Sequence, residues 1–275
     1  MPGKLVVATC QYPVNPDIRK NLSNTLMQME TARSRGADIA HFSECSLSGY
    51  AGMDFGNIRD QDEQLLDDAF AEVKEKARKL GLWVILGSHH FAQGHDKPYN
   101  SLFLIDDQGQ VRGRYDKRLL TYGAGGSDMK HYSPGEGPFT FQLKGVTCGL
   151  MICHEWRYPE LYREYMRMNT ELLFQSWYDG NLSPRRYREA GKELGALIVG
   201  TVKGHAASNY LWISASNTCK KESCFPGFVV RPDGMILNKM KRNRQGVLIS
   251  GIDTSKDFPD PTGHLRNQLN RYIKY

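Results

Sequence analysis

GVTCGLMICHEWRYPELYREY, residues 145–165, divides into three pieces of different character. Val146 to Ile152 is an uncharged apolar run with a single glycine, Gly149, which is the pattern of a buried strand. Cys153 closes the run, and a charged, aromatic turn follows from His154 to Tyr158. Pro159 then stands where proline is best tolerated, at the first position of a helix continuing through ELYREYMRM. A thiol on such a strand-to-helix turn is lifted off the strand end, and the free N–H groups of the turn and helix point nearby as oxyanion donors. Taken alone, this cysteine is as readily a buried structural thiol as a nucleophile.

Upstream, LVVATCQY (5–12) alternates as a strand, and Ile18, Leu22, Leu26 and Met29 keep helical spacing as far as Gly36. ADIAHFSE (37–44) is a second buried strand, ending on Glu44. An acid closing an apolar strand is costly unless it is paired or working. Leu66, Ala69, Phe70, Val73, Ala77 and Leu80 form one helical stripe stopped by Gly81. WVILGSHH, YNSLFLID and QVRGRYDK read as three strands, the last two a hairpin that delivers Lys117. A lysine on a hairpin arm is ordinarily a solvated edge charge, so its meaning depends on Glu44 and Cys153.

Downstream, TELLFQSWYDG is a strand, helical sequence runs from Pro184 to roughly Leu197, and NYLWISASN (209–217) is another strand. FVVRPDGMILNK is a hairpin around Pro-Asp-Gly, and GVLISGID (246–253) is the last strand. Alternating strands and helices with hairpins in both halves predict an α/β fold of two sheets covered by helices. Glu44, Lys117 and Cys153 each end a predicted strand, and strand ends on one side of an open sheet converge on a common crevice.

The chain has 275 residues and a net charge of +6, enough for one domain spanning 1–275 with a substantial core. The longest basic block is KMKRNR (239–244), too little to point to nucleic acid. No apolar stretch approaches the ~20 residues of a membrane span. MPGKLVVATCQYP runs straight into strand-like sequence with no secretory leader, and the six cysteines read as reduced thiols, so a cytoplasmic protein is expected. No metal or other cofactor is expected. Cys148 and Cys153 face opposite sides of a strand, Cys219 and Cys224 lack a second ligand pair, and the adjacent His89 and His90 point apart. The glycine-rich loop Thr121–Gly137 lacks the GxxxxGK[ST] pattern of a phosphate cradle.

The segment C-H-E-W-R-Y-P-E resembles the nucleophile elbow of the nitrilase superfamily of carbon–nitrogen hydrolases, whose usual form is C-x-[DE]-x-R-[FY]-P-E. Cys153, Glu155, Arg157, Tyr158, Pro159 and Glu160 carry the match. Glu44 with Leu47–Tyr50 is similar to the family's P-E-x-x-x-x-G-Y, with Ser43 replacing the proline, and Lys117 sits in its x-Y-x-K setting. MKHYSPG resembles the family's loop before the nucleophile strand. There the position of a second glutamate matches Asp128, with Glu136 a nearby alternative. Gly227 stands where the family has a serine.

The resemblance implies a four-layer αββα sandwich and a homodimer or higher homo-oligomer, with the C-terminal tail, about 254–275, in dimer contacts. It implies Cys153 as nucleophile, Glu44 as general base and Lys117, with the His154 N–H, as oxyanion partners. Asp128, His154, Arg157, Trp177 and Tyr178 are the substrate-binding candidates, and His205 is a further pocket-lining residue. Arg157 either holds a substrate carboxylate or braces the turn through Glu160 or Glu155, and bracing is the favoured reading. Nitrile-cleaving relatives commonly place tryptophan after the cysteine, whereas His154 and the R-Y-P-E continuation resemble amidases and N-carbamoyl amidohydrolases. The expected substrate is a small amide or N-carbamoyl compound, with a nitrile as the alternative. An acyltransferase and a catalytically silent interaction subunit are rival readings, the latter disfavoured by the complete Glu-Lys-Cys set. In a Cys–His protease the base would be His154, which is on the same turn as the thiol and points elsewhere.

Overall fold

Strands whose side chains alternate between two buried faces form two six-stranded sheets in this computed structural model, which describes residues 3–122, 128–180, 182–266 and 268. The first sheet contains β1 (Lys4–Gln11), β2 (Ile39–His41), β3 (Trp83–His90), β4 (Tyr99–Ile105), β5 (Val111–Asp116) and β12 (Gly246–Asp253), in the order β12-β1-β2-β3-β4-β5. The second contains β6 (Thr140–Leu143), β7 (Val146–Ile152), β8 (Leu172–Ser176), β9 (Trp212–Ser216), β10 (Phe228–Val230) and β11 (Ile236–Lys239), ordered β11-β10-β9-β8-β7-β6. Parallel pairs run through the centre of each sheet, β1-β2-β3 in one and β7-β8-β9 in the other, and antiparallel pairs close the edges, β12 on β1 joining the two ends of the chain.

Period-two alternation sorts the apolar residues into separate layers. Leu5 and Val7 of β1 join Val146, Cys148, Leu150 and Ile152 of β7 in a core between the sheets. Ala8 and Cys10 face the other way, onto helices α1 (Ile18–Ser34) and α2 (Glu63–Leu80). Met151 of β7 likewise turns outward, toward α3 (Pro159–Arg167) and α4 (Pro184–Asn209). The result is helix, sheet, sheet, helix: a four-layer αββα sandwich.

The helices carry their own start signals. Asp17 caps α1 by accepting the Arg19 and Lys20 N–H groups, Asp62 caps α2, and Ser183 before Pro184 caps α4. Helix α4 runs twelve residues beyond the Leu197 end expected from sequence. Ile198, Val202 and Ala206 continue its buried stripe, interrupted to the eye by Gly200 and Gly204. The short edge strand β6, half-exposed, lacks the apolar pattern that would announce it.

The tail packs on its own sandwich as far as it is described. Phe258 sits edge-on to Trp212, with Arg231 over its ring. The rest of the segment expected in dimer contacts, 267 and 269–275, lies outside the described residues. No helix among the described residues is long and apolar enough to cross a membrane.

Candidate active site

Glu44 follows β2, Lys117 follows β5, Cys153 follows β7 and Tyr178 follows β8, so the two sheets deliver these four residues to one end of the sandwich. The join is direct: the Glu44 N–H donates to the Trp177 carbonyl at 3.3 Å, across the two sheets. Gly87 of β3 makes room for the Glu44 turn. A Cβ there would lie 2.2 Å from the Ser43 carbonyl and 2.7 Å from the Cys45 nitrogen. Cys45 and Cys153 both adopt left-handed backbone, at φ 50° and 37°. That conformation costs a non-glycine residue about 1–2 kcal/mol. It persists where surrounding contacts over-determine it, as they do at both turns.

Glu44, Lys117 and Asp128 are buried together. Lys117 Nζ donates to Glu44 Oε1 at 2.7 Å, to Asp128 Oδ2 at 2.8 Å and to the Tyr50 hydroxyl at 3.2 Å, which engages all three of its protons. Tyr50 in turn donates to Asp128 Oδ1, and the Thr121 N–H donates to Asp128 Oδ2 at 2.9 Å. Asn100 Nδ2 donates to Glu44 Oε1 at 2.8 Å, so that oxygen has two donors while Oε2, equally buried, has none. Of the two acids left open by the sequence, Asp128 enters this cluster and Glu136 is exposed.

Electrostatics follow from two anions, one cation and no water access. Burial raises the Glu44 carboxyl above its usual range, with Lys117 opposing and Asp128 adding to the rise. Burial also pushes Asp128 up, but Lys117 outweighs it and leaves Asp128 below the usual carboxylate range. Burial disfavours the Lys117 ammonium, yet Asp128 and Glu44 hold its pKa well above normal. The Cys153 thiol is raised well above normal by burial and then by the Glu44 charge, against the opposing pull of Lys117 and the Tyr178 backbone N–H. The resting arrangement is a protonated thiol beside a carboxylate of raised basicity.

Glu155 holds the turn itself. It is fully buried, and Oε2 accepts the Ile152 N–H at 2.7 Å. Oε1 accepts the Tyr115 hydroxyl at 2.8 Å and the N–H groups of Arg118 and Leu119 at 2.8 and 3.3 Å. All of its capacity is spent on these groups, and Arg157 makes no ion pair with Glu155 or Glu160. Arg157 is exposed, with its guanidinium 4.6 Å from the centroid of the Trp156 ring. The favoured bracing role through those acids is therefore replaced by stacking on Trp156.

The remaining candidates are placed as follows. His154 is half-buried beside Tyr158, and burial with the nearby Lys117 and Arg157 charges lowers its pKa to about 4, so it is neutral at pH 7. Trp177 is 1% exposed and packs between Trp156 and Phe225, so its backbone rather than its indole meets the site. Tyr178 lies against Tyr50 with ring centroids 4.8 Å apart and donates its hydroxyl to Asp54 at 2.6 Å. His205 lies behind the elbow, stacked on Tyr162 and bonded to the Trp156 carbonyl. A cleft of about 620 Å³ opens nearby, bounded by Leu119, Met129, Tyr132 and Tyr158. Among the described residues no group of histidine, cysteine and acidic side chains could hold a metal ion.

Comparison with known proteins places these features in a family context. Residues 6–256 match the family described as carbon–nitrogen hydrolase. The N-carbamoylputrescine amidase of Arabidopsis thaliana is 24% identical over 269 residues, covering 91% of this chain and 87% of the plant protein. The deaminated glutathione amidase of Bos taurus is 27% identical, covering 90% and 76% respectively. A solved amidase from Nesterenkonia sp. AN1, carrying the acetamide moiety of fluoroacetamide on its active-site cysteine, superposes with a TM-score of 0.79 at 19% identity, covering 98% of this chain and 97% of that one.

Proposed function

The chain belongs to the carbon–nitrogen hydrolase family, a hydrolase of C–N bonds other than peptide bonds, and from that premise we propose that it cleaves a small amide or N-carbamoyl compound through a thioester on Cys153. The observation that carries this reading is the asymmetry of Glu44: Oε1 is held by Lys117 and Asn100, Oε2 is buried with no donor, and the same carboxylate acts directly on the Cys153 thiol. A buried carboxylate with one oxygen fixed and the other bare is a general base in search of a proton.

In the first step Sγ of Cys153 attacks the carbonyl carbon as Oε2 of Glu44 takes the thiol proton. The carbonyl oxygen becomes an oxyanion, stabilised by Lys117 and by backbone N–H groups around Cys153. Lys117 reaches it by releasing its longest bond, the 3.2 Å contact to Tyr50. Collapse breaks the C–N bond, and Glu44 returns its proton to the departing nitrogen, releasing ammonia or an amine. Water then attacks the thioester as Glu44 takes a proton from it, and the acid leaves as the Cys153 thiol reforms.

Asp128 keeps Lys117 charged throughout and, with His154 and Tyr178, borders the place where the leaving nitrogen sits. A carboxylate accepts N–H bonds from an amide nitrogen, and a nitrile nitrogen has none to offer. Arg157, exposed and without an ionic partner among the described residues, and the backbone around Trp177 complete the proposed binding set. The homodimer implied by the family resemblance is part of this proposal, and a monomer-only profile in analytical ultracentrifugation would count against it.

The test is intact-protein mass spectrometry after brief exposure to a panel of amides and carbamoyl compounds. An acyl adduct on wild-type protein with matching ammonia release, both absent in Cys153→Ala, is the expected result. Turnover with no dependence on Cys153 would remove the reading.

A further inference from the structure

Asp54 plays no part in the chemistry described above, yet its side chain is 0% exposed and every bond it makes is directed at the wall of the site. It closes the turn that carries Tyr50 in both directions. The Asp54 N–H donates to the Tyr50 carbonyl at 2.8 Å, and Oδ2 accepts the Tyr50 N–H at 2.9 Å. Oδ1 accepts the Tyr178 hydroxyl at 2.6 Å and the Lys220 ammonium at 2.5 Å. One carboxylate thus gathers the segments that follow β2, β8 and β9.

Lys220 is fitted to this carboxylate at several points. Its ammonium also donates to the Tyr178 hydroxyl at 2.8 Å, and its carbonyl accepts Asn243 Nδ2 at 2.6 Å. Its stem crosses Gly180, where a Cβ would lie 3.1 Å from the Lys220 Cβ. A buried carboxylate requires such a cation, because loss of either partner leaves the other charge uncompensated. The assembly packs directly on the catalytic cluster. The rings of Tyr50 and Tyr178 have centroids 4.8 Å apart, and the Tyr50 hydroxyl accepts from Lys117 at 3.2 Å while donating to Asp128. Asp54 therefore reaches Lys117 through a single aromatic side chain.

We propose that Asp54 is a positioning residue for the reaction, with Lys220 as its counter-ion. It fixes the Tyr50 backbone directly and the Tyr50 ring through Tyr178, and so sets where the Tyr50 hydroxyl stands and where Lys117 points. The proposal rests on the amide-hydrolase reading and deepens it. In that reaction Lys117 leaves the Tyr50 hydroxyl for the oxyanion, a movement that is productive only from a fixed start. The Asp54 oxygens are engaged by Tyr50, Tyr178 and Lys220, so this residue acts through the tyrosines and not on the substrate.

The experiment is a double-mutant cycle on kcat with Asp54→Asn, Tyr50→Phe and the two combined, measured on the folded fraction isolated by gel filtration. Asp54→Asn sets an NH₂ against either the Tyr50 N–H or the Lys220 ammonium, so one side of the clamp opens. Misplacement of a catalytic group costs a factor of roughly 10 to 100 in rate. Each single variant should lose kcat on that scale with KM little changed. Both act on Lys117 through the same hydroxyl, so the double variant should be no slower than the slower single, whereas independent sites multiply their factors. A merely structural staple would lower Tm without this coupling in kcat. Should Asp54→Asn not fold, Lys220→Met, which strips Asp54 of its cation, takes its place in the cycle with the same non-additivity expected. Factors that multiply, an unchanged kcat in Asp54→Asn, or a loss confined to KM overturns this inference and leaves the amidase reading intact. Failure of the wild-type protein to release ammonia from any amide or carbamoyl compound tried, with no acyl adduct on Cys153, overturns the amidase reading and this inference with it.

Discussion

The backbone N–H of Arg118 donates to Glu155 across 2.8 Å, so the residue after Lys117 is bonded to the residue two places after Cys153. Through its other oxygen the same carboxylate takes the N–H of Ile152, immediately before the thiol. One buried side chain thus fixes the separation of the proposed nucleophile and the proposed oxyanion cation. Only a carboxylate has enough acceptor sites to satisfy these donors at once. Glu155→Gln puts an NH₂ where a backbone N–H already points, leaving at least one buried donor unsatisfied at about 1–3 kcal/mol. A drop in Tm together with slower turnover is expected. A variant with unchanged Tm and kcat would show that the clamp is dispensable.

The five cysteines other than Cys153 are buried, and Cys153 alone is half-exposed. Iodoacetamide at low stoichiometry should therefore label Cys153 first, with activity lost in step. Burial and the Glu44 charge both raise this thiol above its usual pKa. If Glu44 is the base that takes the thiol proton, Glu44→Gln should label more slowly, and faster labelling would show that only its charge acts on the thiol. Turnover by Glu44→Gln and by Lys117→Met should fall by a factor on the order of 10² or more. Peptide mapping that finds another cysteine modified first, with activity lost alongside, would move the nucleophile elsewhere.

Asn100 acts on Glu44 without touching substrate. Its amide donates to Oε1, and this hydrogen bond lowers a carboxyl that burial has raised. The acid limb of kcat/KM should consequently lie above the ordinary carboxylate range, because the base must be ionised to accept the thiol proton. Asn100→Ala removes the donor and should move that limb to still higher pH, at modest cost to the plateau. A limb that stays in place, or moves down, would make Asn100 a packing residue only.

Matched amide and nitrile pairs of one carbon skeleton separate the two leading chemistries. In the proposed binding set, Asp128 and the neutral His154 would favour a substrate nitrogen that bears protons. Ammonia release should show the higher kcat/KM for the amide in each pair. A consistent preference for nitriles would promote the alternative.

What the sequence displayed and what it hid divide along physical lines. Glu44 and Cys153 stand out because each closes an apolar strand run, Lys117 stands out only by its match to the x-Y-x-K setting, and the structure sets the three strand ends together. Asp128 holds the matching family position with Glu136 a nearby alternative, and the sequence does not separate them further because both lie in an aperiodic loop whose path is decided by tertiary contacts from Lys117, Tyr50 and Thr121. Asn100 gave no local sign: a polar residue beginning an apolar strand looks the same whether it faces solvent or a buried carboxylate. The end of α4 was hidden by Gly200 and Gly204, whose exposed positions carry no packing information. Glu155 was visible as part of a motif, but its four donors come from residues 115–119 and 152, and that meeting is a property of the fold.

A last consequence concerns Asp179, next to Tyr178 in the loop that borders the thiol. Its Oδ2 accepts the Cys224 N–H at 2.6 Å, and burial raises its pKa from 3.8 to about 6 despite that bond. An unfolded chain releases this proton near pH 4, whereas the native protein holds it until about pH 6. Between those values the native state binds more protons than the unfolded one, so the contribution of Asp179 to stability declines as pH rises and is constant above the window. Asp179→Asn keeps an acceptor for Cys224 and cannot titrate. The difference in Tm, variant minus wild type, should therefore climb from pH 4 to pH 6 and then level off. A difference that is flat across that interval, or that falls, would show that Asp179 titrates as it does in the unfolded chain, and that its burial is relieved by solvent reaching the loop.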